Sequence, residues 1–499
     1  MTGKPVARLT GAAVPPLPAG FGVELDSWTR ELTPGLWFGG SPVRIARLTP
    51  AGQAAWRELR DGLVTSRATG ALARYLTDTG LAHPVPPARQ TAPEVTVIIP
   101  VRDRADLLGR CLTALGCDYP VLVVDDASAD PVAVARVAAR HGARLIRREV
   151  NGGPGAARNT GLAALASDGV TSELIAFVDS DCEPAPGWIA QLAGHFADPL
   201  LAVVAPRITG KATPTAAGRY TELNCALDLG GRPGRVMPRT ATSYVPTAAV
   251  LARRDALLSV SRAGRVFDES MRVGEDVDLI WRLHEASWRV RFVPSVQVAH
   301  HEPASWPELF ARRYRYGTSA GPLARRHPGA VVHLALAPWP AATVAALLAR
   351  RPVMAAAAFA GALATTGYRL RRAGVPRAGL TQATLAATRQ TWLGVGRYAT
   401  QFAVPLLAAA SAAPGTSRRW GRRAAIGSLL LGPPLTAWAE GSRALDPARF
   451  TLGRIADDLA YGLGVWSGCV AARTLAPLRP VIAWRPLRID PAARKGPPS

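Results

Sequence analysis

The sequence predicts an α/β fold with a mostly parallel sheet, and three observations carry that expectation. Apolar, β-branched runs of strand length alternate with helix-length segments between residues 94 and 327. The runs at 95–100, 121–124 and 174–178 hold no charge, as strands buried on both faces do. Two of them break at their carboxyl ends into acids, Asp125-Asp126 and Asp179-Ser180-Asp181, and ligands collect at that edge of an open α/β sheet.

Taken in order, residues 1–20 are rich in Pro, Ala and Gly and are expected to be disordered. Residues 21–87 read as a small α+β module. Gly39-Gly40-Ser41-Pro42 makes a turn, residues 43–48 alternate with strand period, and Thr49 caps a helix opening at Pro50. A second helix near 71–78 ends at Gly80. The strand–helix order resembles winged-helix peptide-recognition domains. His83-Pro84-Val85-Pro86-Pro87 reads as a stiff linker.

In the central domain, helices are expected at 105–115 and 131–141 and a short strand at 144–147, giving right-handed crossovers. Gly152-Gly153-Pro154-Gly155 opens another helix. Glycine lets a backbone approach a diphosphate, and a helix N-terminus favours negative charge; an ordinary tight turn would look the same. The dinucleotide-binding fingerprint is absent. Asp179 and Asp181 suit a hard divalent cation that takes its other ligands from phosphates, with a solvated acidic turn as the plain alternative. Asp276 falls in the first turn of an amphipathic helix after Gly274-Glu275, where the helix dipole favours its anion. There it can act as a general base toward an acceptor hydroxyl or simply cap the helix. Arg313, Tyr314, Arg315 and Tyr316 can close on phosphates or stack on a sugar, or form a solvated helix face.

Composition narrows the function classes. The 499 residues carry a formal net charge of +23, yet Lys4, Lys211 and Lys495 are the only lysines. No acid occurs between Glu308 and Glu440, so much of the positive charge lies in the most apolar part of the chain. That pairing points to a membrane surface and away from nucleic acid. Five scattered cysteines offer neither a disulfide framework nor a CxxC pair, and a reducing compartment fits them. The opening residues lack the pattern of a secretion signal, so the catalytic part is expected on the cytoplasmic face of the cell membrane.

Beyond residue 327 the chain becomes Ala- and Leu-rich, and residues 328–485 are expected to be helical and membrane-associated. Residues 330–349 and 398–417 are free of charge for twenty positions each and are flanked by arginines. Spanning helices, interfacial helices and a buried Ala-rich domain all fit that pattern.

Five motifs occur in a telling order: Val97-Ile98-Ile99-Pro100, Val123-Val124-Asp125-Asp126-Ala127-Ser128, Gly153-Pro154-Gly155-Ala156-Ala157-Arg158-Asn159, Asp179-Ser180-Asp181 and Gly274-Glu275-Asp276-Val277-Asp278-Leu279. Together they resemble the inverting GT-A glycosyltransferases of family 2. Phe38-Gly39-Gly40-Ser41-Pro42, residues 204–208 and 243–249, and the Arg315-Tyr316-Gly317 stretch are similar to the mycofactocin-system glycosyltransferases.

The resemblance implies a nucleotide site lined by Pro100 and Val101, with Asp126 on the uracil and Arg158 and Asp179 holding the donor. It implies Mg²⁺ or Mn²⁺ on Asp181 and Asp179, Asp276 as base, and Glu275, Arg313 and Tyr316 on the acceptor or phosphate side. The implied reaction moves a hexose, expected to be glucose, from a UDP-hexose to the peptide-derived redox cofactor mycofactocin or its precursor. Repetition would build a short β-linked oligosaccharide. The alternative is a family 2 transferase for an envelope polysaccharide or glycolipid, although the Gln-x-x-Arg-Trp acceptor motif is absent.

Overall fold

A computed structural model describes residues 14–88, 94–211, 213–372, 374–413, 419–441, 445–483 and 488–489. The N-terminal module forms as its local signals require. Thr49 accepts a hydrogen bond from the Gly52 amide at the start of helix Pro50–Leu59, with proline in its first turn. Ser66 and Thr69 cap helix Arg67–Thr79 reciprocally, and Gly80 ends it at φ +72°. Strands Arg30–Thr33, Leu36–Gly39 and Arg44–Arg47 make an antiparallel sheet, which Arg488–Ile489 extends from the far end of the chain. Trp37 and Trp56 meet edge to face at 4.7 Å in its core.

Two expectations are corrected here. The 83–87 segment is not simply a linker, because strand Ala82–Val85 pairs antiparallel with Gly22–Leu25. Residues 14–20 are ordered: Leu17 is buried, and its amide donates to the Gly70 carbonyl. Residues 1–13 lie outside the described residues. The module is bolted to the central sheet by a buried bidentate pair, Arg74 to Asp198, with both contacts at 2.7 Å. Asp78 adds Arg289 at 2.8 Å and Arg235 at 3.1 Å.

Among the described residues, the central domain is a nine-stranded sheet. Strands Arg144–Arg148, Val121–Asp126, Val95–Val101 and Leu174–Val178 are parallel neighbours, as the uncharged runs predict. Two longer strands, Leu201–Lys211 and Arg289–His301, pair in the same direction beyond Ala249–Arg253, which runs antiparallel between Leu174–Val178 and Leu201–Lys211. Short Cys182–Pro184 leaves the Asp-x-Asp turn and pairs Cys182 opposite His300. The expected helices stand at Ala105–Leu115, Pro131–Arg140 and Pro154–Ser167.

The C-terminal region is helical as expected, but its uncharged stretches are not continuous helices. Within 330–349, Ala335–Leu336 pairs with Val481–Ile482 and the helix begins only at Pro338. The 398–417 stretch breaks at Ala403, between helices Leu380–Phe402 and Val404–Ala412. Among the described residues no helix is long and apolar enough to cross a membrane.

Helix Pro447–Ala471 lies against Trp306–Thr318 and Ala320–Arg326 at backbone contact. Gly317 and Gly321 face Gly464 and Gly468, where any Cβ would strike a carbonyl or amide of the opposing helix. Four-residue spacing puts Gly464 and Gly468 on one helix face. This contact seats the C-terminal helices over the carboxyl edge of the sheet.

Candidate active site

Helix Pro154–Ser167 starts at Gly153, held at φ +87°, and carries Arg158 into the protein interior. Arg158 bonds Asp179 Oδ1 at 2.6 Å and Glu275 Oε1 at 3.0 Å. A Cβ on Gly155 would sit 3.1 Å from Glu275 Cγ and 3.2 Å from Phe267 Cβ, so this glycine lets the two helices meet. Glu275 opens helix Glu275–Glu285 and Asp276 follows it, its Oδ1 accepting the Val277 amide at 2.8 Å.

Burial, then the adjacent Asp276 charge, pushes the Glu275 carboxyl up to about 8. Burial also raises Asp276 and Asp179, although Arg158 pulls against it in both. The cluster is acid-rich around one buried guanidinium. Replacing Arg158 with Met should cost about 3–5 kcal/mol in thermal unfolding, because the buried Glu275 and the half-buried Asp179 lose their partner.

Asp181 sits at the turn after the central strand, and its carbonyl accepts the His301 amide at 2.9 Å. Its carboxylate faces His300 Nε2 at 3.5 Å. Burial opposes ionisation of Asp181, but His300, with Arg312 and Arg104 behind it, holds the carboxyl well below the usual range. The other nitrogen of His300 lies 2.9 Å from Glu302, which also accepts from the Cys225 thiol at 3.0 Å. Burial and the Glu302 charge push that thiol up, so it stays protonated. Cys225, Glu302 and His300 therefore form a chain that orients the imidazole toward Asp181. A carboxylate and an imidazole nitrogen side by side fit a divalent ion that displaces the ring proton, and Glu302 would be the outer carboxylate that fixes His300. Glu302→Ala should weaken Mn²⁺ affinity about 10–100-fold, read by metal titration.

One cavity of about 1090 Å³ gathers many of the expected residues: Arg158, Asp179, Asp181, Glu275, Asp276 and the pair Arg313 and Tyr316. Pro100, Val101 and Asp126 do not line it. Pro100 and Val101 end a buried strand beside Val124 and Asp125. Asp126 accepts Arg148 Nε at 2.9 Å and the Gly152 and Gly153 amides at 2.9 and 2.6 Å. Its carboxylate thus closes the glycine-rich loop. The same bonds occupy the Gly152 and Gly153 amides, just ahead of the helix N-terminus that was expected to favour a diphosphate.

Arg313 ion-pairs with Asp457 at 2.6 Å across the glycine contact, whereas the neighbouring Arg312 acts on Asp181. Arg312, one residue earlier on the helix, and His300 escaped the sequence reading. A His-His-Glu end to a strand was the signal for the latter; only strand pairing shows that it lies beside Asp181.

The sequence from 96 to 259 matches the model for "Glycosyl transferase family 2". The pre-mycofactocin glycosyltransferase of Mycobacterium tuberculosis is 37% identical over 484 residues, covering 93% of this chain and 98% of that protein. The chain belongs to this glycosyltransferase family. A succinoglycan biosynthesis protein of Rhizobium meliloti, ExoO, is 28% identical over 43% of the chain and 63% of its own length. Among solved structures, the glucosyl-3-phosphoglycerate synthase of M. tuberculosis, in complex with Mn²⁺, UDP-glucose and phosphoglyceric acid, is 20% identical with a TM-score of 0.33. That match covers 47% of this chain and 80% of the synthase. The glycosyltransferase thus has a GT-A-type domain between a small N-terminal module and a helical C-terminal region.

Proposed function

We propose that this glycosyltransferase moves a glucose unit from UDP-glucose to pre-mycofactocin with inversion, and that repetition builds a short β-linked chain. The observation that carries the reading is the juxtaposition of Asp181 with His300 and of Asp276 with Arg158 in one cavity. The near full-length relative supplies the acceptor.

In this reading Asp181 and His300, with Asp179 beside them, would hold a divalent ion; the carboxylates suit Mg²⁺ or Mn²⁺, and a nitrogen ligand tips the choice toward the transition ion. Bound there, the ion would neutralise charge on the departing diphosphate. Arg158 fixes Asp179 and Glu275, so the donor meets a preorganised wall. Asp276 takes the acceptor proton as the acceptor oxygen bonds to the anomeric carbon and the bond to UDP breaks. A single displacement inverts the centre. Incubation with UDP-glucose and pre-mycofactocin should give hexose additions by mass spectrometry and β-anomeric proton couplings by NMR. UDP release without any acceptor adduct would sink the reading.

We further propose that the C-terminal helices rest on an anionic membrane surface at the cytoplasmic face. Leu347, Val353, Met354 and Trp420 are exposed, and Arg350, which packs on Gly421, ties two of their helices into one corner. An apolar groove of about 490 Å³ opens there between Leu347, Trp392 and Ala425. Exposed aromatic and aliphatic side chains among arginines suit an interface that is entered but not crossed. The protein should float with phosphatidylglycerol vesicles and be released by salt; equal recovery with neutral vesicles would remove the electrostatic part.

A further inference from the structure

The cavity that holds the acids exceeds the needs of one donor. About 1090 Å³ is above the roughly 300–1,000 Å³ of a typical single-ligand pocket. It runs from Asp179 and Asp181, past Asp276, to helices beyond residue 380. The far half differs in chemistry from the half around the acids.

Tyr244 stands at the junction, within electrostatic reach of Asp276, Tyr316 and Tyr461. Behind it, His333 Nε2 meets the Tyr461 hydroxyl at 3.1 Å, and its ring lies 5.2 Å from Phe402. Tyr398 packs against Phe402 at 4.9 Å. Burial favours the neutral form of His333. The three guanidinium groups of this half are engaged by two carboxylates. Arg313 pairs with Asp457 at 2.6 Å, and Arg397 and Arg454 pair with Asp458 at 3.0 and 3.5 Å. A phosphate or carboxylate would have to displace them, and breaking a partly buried ion pair leaves a charge unpaired. A flat, uncharged molecule meets no such obstacle and gains from the ring faces.

We infer that the C-terminal helices build the acceptor site, a ring-lined chamber for a compact, uncharged molecule that packs against Tyr244, Tyr461 and His333 and presents its hydroxyl to Asp276. This inference rests on the proposed transfer reaction and adds where and by what chemistry the acceptor is held. It gives the helical region a role in catalysis beyond any membrane contact.

The test uses the full-length protein, with pre-mycofactocin as acceptor and UDP as donor-side probe. Tyr461→Ala and His333→Leu should each raise the acceptor KM about tenfold or more, with UDP affinity by calorimetry within about twofold of the parent. Tyr461→Phe keeps the ring and should raise KM less than Tyr461→Ala, a split that general loosening of the fold would not produce. If Tyr461→Ala also loses UDP binding, the cap has come apart, and His333→Leu and Tyr461→Phe decide the matter. Unchanged acceptor KM in those variants, with transfer intact in the parent, overturns the chamber alone. A parent that glycosylates undecaprenyl phosphate and ignores pre-mycofactocin overturns both the chamber and the proposed function.

Discussion

Asp276→Asn should lower transfer by about a hundredfold to ten-thousandfold, the usual range for losing a positioned general base. The amide keeps the volume of the carboxylate and can still accept the Val277 amide that holds its oxygen at 2.8 Å. UDP affinity is therefore expected to stay close to the parent value, and its loss would refute the assignment as base. The pH profile gives an independent check. Burial raises Asp276 above the ordinary carboxyl range, and a base works only when ionised. The kcat/KM of the parent should accordingly fall as pH drops through that raised value. The Asn variant should lose this acid limb and keep only a low, flatter rate.

Gly464→Leu should be among the most damaging single changes outside the acids. Any Cβ on Gly464 strikes the Tyr314 carbonyl on the facing helix, and Gly317 lies against the same contact. The two backbones would have to part, at a cost of about 3 kcal/mol or more, the upper end of overpacking effects. Function should fall with stability, because the facing helices carry Arg312, Arg313 and Tyr316 on one side and Asp457 and Tyr461 on the other. Thermal unfolding should show the loss, with transfer assays lost in step. Gly427→Ala is the control: nothing lies within 4 Å of its added Cβ. Its expected change is within about 0.5 kcal/mol.

The central strands, the Asp-x-Asp turn and the Glu275-Asp276 helix start were legible in the chain because each is a local pattern. An uncharged strand, a turn at its end and a helix cap are written within a few consecutive residues. Two parts of the 21–87 module were legible for the same reason, through Thr49 and Gly80. Roles that depend on neighbours distant in sequence were not. Asp126 looked like a ligand contact, yet its oxygens are taken by Arg148, Gly152 and Gly153. His83 to Val85 looked like a linker until pairing with Gly22–Leu25 made most of it a strand.

The sequence by itself determined the family, the sheet and most of the acids, since these are carried by short apolar runs ending in charged turns. The tertiary structure alone decided which histidine stands by Asp181, because His300 is brought there by strand pairing more than a hundred positions away. It also broke both uncharged stretches, at Pro338 and at Ala403, and among the described residues left no helix long and apolar enough to cross a membrane. Alanine is weakly apolar and can face lipid or protein, so hydropathy leaves the choice open. The glycine contact of Gly317 and Gly321 with Gly464 and Gly468 places the backbone of helix Pro447–Ala471 directly on the helices that carry the cavity's arginines.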